Sequence, residues 1–118
     1  MGELRRNGMA VAGLAACVFM GAVAYGWPAP ARPDAAAGKT VYASNCVACH
    51  GEDGAGTPTG QALNAPDLRS DAVQKASDAD LKQQVMNGKN NMPPFKDTLK
   101  PAEVDDVIAY VRTFAHKK

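Results

Sequence analysis

The sequence has too little cysteine for a disulfide framework. Of its three cysteines, Cys46 and Cys49 form one short pair and Cys17 stands far upstream. Histidine is scarcer still: only His50 and His116 occur, so no Cys/His set at zinc spacing can be assembled around the pair. There is no long run of either charge sign, because 13 basic and 12 acidic residues are intermixed for a net charge of +1. The basic stripe that nucleic-acid binding needs is therefore missing, as is an acidic tail. No alternation of strand-like and helix-like segments surrounds the Cys pair, which argues against a thioredoxin-like redox site. Gly51, Gly54, Gly56 and Gly60 follow no strand and precede no Gly-Lys-Ser/Thr, so they do not form a phosphate loop.

What is present begins with a destination signal. Arg5 and Arg6 are followed by an uncharged run of 19 residues, Met9 to Trp27, rich in Ala, Val and Gly. Charge followed by an apolar stretch directs export, with the basic end left in the cytoplasm. Residues 1–27 are thus either a cleaved signal or a retained membrane anchor, and both remain open. The run falls within the roughly 17 to 25 residues that can span a bilayer, and Tyr25 and Trp27 suit the interface. Ala22-Val23-Ala24, however, is an A-x-A cleavage site behind a weakly apolar stretch. Leu14-Ala15-Ala16-Cys17 has the outline of a lipoprotein box, but Val18-Phe19-Met20 continue the apolar run, so Cys17 reads as a small apolar residue. Arg5-Arg6 lacks the flanking residues of a twin-arginine signal.

Prolines at 28, 30 and 33 among alanines mark residues 28–37 as an extended spacer. Residues 38–118 are then the folded domain, close to the size at which a core of side chains alone becomes marginal. From Ala35 onward basic and acidic residues balance at ten each.

The chemistry lies in Cys46-Val47-Ala48-Cys49-His50. Covalent haem attachment needs two thiols that reach adjacent edges of one macrocycle and an imidazole that falls under the iron. Thiols three residues apart lie on neighbouring turns of one helical face, and the next residue supplies the imidazole. A covalent haem would also supply the apolar bulk that so short a domain lacks.

Residues 38–114 resemble a class I monohaem cytochrome c of the small bacterial type. Gly38 and Tyr42, eight and four residues before Cys46, match the Gly and aromatic of that family's N-terminal helix. Met92-Pro93 matches its distal loop, and Glu103 to Phe114 its closing helix. The resemblance implies an all-α cytochrome c fold: N- and C-terminal helices that cross, one or two short middle helices, a Met loop, and one haem c with its iron between them. It also implies that Val107 and Tyr110 pack against Gly38 and Tyr42. By the same resemblance the carbonyl of Pro66 supports the second nitrogen of His50, with Pro58 as the other candidate.

Met92 is the expected distal ligand. Past the export segment only Met86 and Met92 remain, and Pro93-Pro94 hold Met92 in extended geometry. An ordinary buried Met in a turn is the plainer reading. Met86 belongs to a helix over 78–87, capped by Ser77 with Asp80 three residues on and stopped by Gly88, where it fills a core gap. His116 lies in a lysine-flanked tail and is the weaker candidate. A final helix opens at Lys100-Pro101 with Glu103 in its first turn and carries the stripe Val104, Val107, Ile108, Val111 and Ala115, widened by Tyr110 and Phe114. Residues 51–76 read as loop.

A His/Met pair leaves no open position on the iron, and Met ligation raises the reduction potential. The expected function is therefore single-electron carriage between respiratory or other redox proteins, in the bacterial periplasm or at the outer face of the cytoplasmic membrane. The chain is expected to act as a monomer that docks transiently and is no enzyme. Two alternatives stand beside it: a haem-bearing subunit of a membrane oxidoreductase complex, and a haem enzyme or sensor with an open distal site.

Overall fold

The computed structural model describes Gly13, Gly21, Val23 and residues 25–117 of the chain. Arg5, Arg6, Cys17 and most of Met9 to Trp27 lie outside the described residues, and with them the twin-arginine, lipoprotein, cleavage-site and anchor readings. Among the described residues no helix is long and apolar enough to cross a membrane. The fold is all-α: α1 (Ala35–Asn45), α2 (Val47–His50), α3 (Pro58–Ala62), α4 (Asp71–Gln74), α5 (Asp78–Asn87) and α6 (Pro101–Arg112), followed by a 3-10 turn at Thr113–His116. No strand occurs among the described residues, only an isolated bridge between Lys89 and Met92.

Helix α1 starts earlier than its sequence suggests. Asp34 caps it by accepting the Ala36 N–H at 2.8 Å, and the Asp34 N–H donates to Asp106 Oδ1 at 2.7 Å. The expected spacer over 28–37 therefore ends before Asp34, because alanines next to a cap are strong helix formers. Gly38 and Tyr42, one turn apart, form the buried face of α1. A Cβ on Gly38 would lie 1.9 Å from the Asp106 carbonyl oxygen; only a residue without a side chain lets α1 and α6 cross this closely.

Tyr42, Val107 and Phe114 form one buried cluster, with Tyr110 packed against it. The rings of Tyr42, Tyr110 and Phe114 meet edge to face at 5.1–5.3 Å, the arrangement that aromatic quadrupoles favour. A second cluster, Leu99, Val104 and Ile108, receives Leu81, Val85 and Met86 of α5. Helix α5 has the expected bounds: Ser77 Oγ accepts the Asp80 N–H at 3.0 Å and Gly88 ends it with φ 72°. At the start of α6 the Lys100 N–H donates to Glu103 Oε2 at 2.7 Å. A lysine offers no side-chain acceptor, so this is one half of a capping box.

The stretch expected to be loop, 51–76, contains two helices, and the middle of the fold has three rather than one or two. Thr57 and Ser70 cap α3 and α4, but helices of 5 and 4 residues are too short to show an apolar period.

Candidate haem-binding site

The end of α1 delivers the attachment motif. The Cys46 N–H donates to the Tyr42 carbonyl at 2.8 Å, and the N–H groups of Cys49 and His50 both donate to the Cys46 carbonyl, at 3.2 and 2.9 Å. Both thiols and the imidazole are therefore carried on a single helical turn. The two cysteines are half-buried free thiols. Burial, with the neighbouring Cys49 adding to it, pushes the Cys46 thiol up to about 11, so it is uncharged at neutral pH before any bond is made to it.

Helix α2 ends after one turn, and its terminal carbonyls need partners. The segment entering α3 supplies them. The Thr57 N–H donates to the Cys49 carbonyl at 3.0 Å and the Gly56 N–H to that of His50 at 2.8 Å, while Thr57 Oγ1 donates to the Ala48 carbonyl at 2.7 Å. A Cβ on Gly60 would stand 1.9 Å from the Cys49 carbonyl oxygen, so α3 lies directly against the motif. From the other side the buried Tyr42 hydroxyl donates to the Gly51 carbonyl at 2.7 Å.

The His50 ring has Nδ1 buried without a hydrogen bond. Burial lowers the ring's pKa below its ordinary value, and the nearby Pro66 carbonyl, as an acceptor, opposes that shift. The ring is therefore neutral at neutral pH, the form that can give a lone pair to a metal. With Nδ1 buried in the protein, Nε2 is the ring nitrogen that could reach a metal. Pro58, the other proline considered for this role, is instead the first residue of α3. A neutral imidazole, its second nitrogen buried, and two thiols within one turn of it form a donor set that fits a covalently held haem.

Met92 closes a tight turn after α5. The Lys89 N–H donates to the Met92 carbonyl at 3.1 Å and the Met92 N–H to that of Lys89 at 3.0 Å, with Asn90 at φ 53°. Beyond two exposed prolines, the N–H groups of Phe95 and Lys96 donate to the carbonyls of Val85 and Met86, at 3.0 and 3.1 Å. The turn is thus fastened to α5. Met92 is half-buried and His116 is exposed, while Met86 packs on the Leu99, Val104 and Ile108 cluster.

The family profile described as "Cytochrome C oxidase, cbb3-type, subunit III" matches residues 33–111. The chain is a small monohaem c-type cytochrome. The cytochrome c6 of Limnospira maxima is 39% identical to it over 88 residues, covering 71% of this chain and 97% of the relative. The cbb3-type cytochrome c oxidase subunit FixP of a Bradyrhizobium species is 35% identical over 95 residues, covering 79% of this chain but 32% of FixP. Among solved structures, the KustC0563 c-type cytochrome superposes with a TM-score of 0.62 at 37% identity, over 65% of this chain and 95% of that one. The cytochrome holds one covalent haem c with its iron and is an electron-transfer protein, not an enzyme.

Three residues that tie together the elements around the site were not singled out in the sequence. Thr57 was legible, since Thr-Pro is a cap followed by a first-turn proline. Arg112 was not. Its Nε and Nη2 donate to Asp78 Oδ1 at 3.0 and 2.7 Å, and its remaining donors reach the carbonyls of Val73, Gln74 and Ala76. Asn91, whose Nδ2 donates to the Leu63 carbonyl at 3.1 Å, gave no sequence signal either.

Proposed function

We propose that this cytochrome carries single electrons through a haem held by thioethers to Cys46 and Cys49, with His50 as proximal ligand, the Pro66 carbonyl behind it, and Met92 as distal ligand. The observation that carries the reading is the His50 ring: neutral, its Nδ1 buried, directly after Cys49 and on one helical turn with both free thiols. When bound, the haem supplies a one-electron couple whose potential responds to its axial ligands. The protein's part is to keep both ligands fixed. Helix α3 and Thr57 immobilise the turn that bears His50, and the Lys89–Met92 turn, fastened to α5, holds the thioether of Met92. Ligands that cannot move on oxidation keep the reorganisation small, and a filled coordination sphere leaves no position for oxygen or peroxide.

The test is covalent attachment. Intact-protein mass after maturation in a host that attaches haem should show one haem that resists acid-acetone extraction. In Cys46→Ala with Cys49→Ala the haem should become extractable. Extractable haem in the native protein would overturn the thioether assignment.

The export segment supports an extracytoplasmic site of action, in the periplasm or at the outer face of the cytoplasmic membrane. Partners are redox proteins that dock transiently through small interfaces. A second reading, a haem-bearing subunit of a membrane oxidoreductase complex, is favoured by the description of the matched family and by the likeness to FixP. Co-purification with oxidase subunits in mild detergent, at fixed stoichiometry, would support that reading over the free carrier.

A further inference from the structure

The Met92 turn is fastened to α5 at its far end, but it also touches the motif side of the fold. Asn91, inside the turn and next to Met92, donates from Nδ2 to the carbonyl of Leu63 at 3.1 Å. Leu63 is firmly held. It closes α3 with its N–H bonded to the carbonyls of Thr59 and Gly60, and the Ala65 N–H returns to the Gly60 carbonyl at 2.8 Å. Gly60 in turn lies against the Cys49 carbonyl. The acceptor is therefore presented by the element pressed onto the haem-attachment motif, and the donor by the turn that bears Met92. Across 28 residues of sequence, this bond joins the two halves that the iron would link by His50 and Met92.

We propose that Asn91 is a clasp that holds the Met92 turn closed and so sets how often the sixth iron position opens. This rests on Met92 being the distal ligand. A clasp differs from a core contact in what it controls. The turn keeps its own two Lys89–Met92 bonds and its fastening to α5 without it, so its loss should change the opening rate and leave the fold intact. The bond is solvent-exposed, and a net hydrogen bond of ordinary strength corresponds to a change of about two- to tenfold in that opening.

The experiment uses the ferric holoprotein and imidazole as the displacing probe. At saturating imidazole the binding rate reaches a plateau set by departure of the native ligand. Asn91→Ala and Asn91→Asp, the latter keeping the shape but losing the donor, should raise the plateau about two- to tenfold. Both should keep the methionine-to-iron charge-transfer band at rest and the thermal midpoint of the parent. A plateau unchanged in both variants, with the band present, overturns the clasp alone. A raised plateau matched by an equal loss of global stability also overturns it, because the effect would then be general loosening. Absence of the band from the parent protein overturns the distal assignment and the clasp with it.

Discussion

At the scale of single residues, the site depends on groups buried in defined protonation states. Tyr42 is 2% exposed, and its hydroxyl, donating to the Gly51 carbonyl, is driven well above its ordinary pKa, first by burial and then by neighbouring Cys46. Conversion of Cys46 to a thioether removes the second influence and leaves the first. In the unfolded chain the phenol titrates near 10, so above that pH the unfolded state gains by losing a proton that the folded state keeps. Stability contributed by Tyr42 is full below about pH 10 and falls as pH rises toward the folded pKa. Tyr42→Phe should therefore flatten the alkaline limb of the stability curve, measured as denaturation midpoint against pH. At pH 7 it should cost about 1–3 kcal/mol for the unpaired Gly51 carbonyl. Residues of this scale were unevenly legible. Cys46, Cys49, His50 and Met92 stood out because their side chains have few other uses in such order. The choice of the Pro66 carbonyl rests on resemblance, since a backbone oxygen leaves no mark in a sequence.

At the scale of elements, two contacts hold the helices in register. The first is the crossing at Gly38. Because a Cβ there would enter the Asp106 carbonyl, Gly38→Ala should force α1 and α6 apart and lower stability by about 1–3 kcal/mol, read from urea unfolding. The second is Arg112, whose guanidinium bonds Asp78 and three carbonyls at and just beyond the end of α4. With the side chain 28% exposed, Arg112→Ala should cost about 1.5–3 kcal/mol, and Arg112→Lys should recover little, because an ammonium cannot reproduce a planar fork of donors. The long elements were readable: α5 from its Ser77 cap and Gly88 stop, α6 from Pro101 and its apolar stripe. Helices α3 and α4 were not, since one turn shows no period, and the start of α1 was hidden by alanines that serve spacer and helix equally. Arg112 was silent because its partners are carbonyls some 36 to 39 residues away in the chain.

At the scale of the whole molecule, the fold is two small clusters around the α1–α6 crossing, with the attachment motif and the Met92 turn on segments fastened to them. Only six hydrophobic side chains are buried among the described residues, a thin core for a domain of this length. A covalent haem supplies apolar bulk to such a domain, which is how the cofactor contributes to folding as well as to function. The central claim, that this is a carrier with both axial positions filled by His50 and Met92, is tested most directly by the absorption spectrum of the ferric protein. It predicts a low-spin six-coordinate haem with a methionine-to-iron charge-transfer band that disappears in Met92→Ala. A high-spin spectrum in the native protein, or a band that survives Met92→Ala, would contradict it.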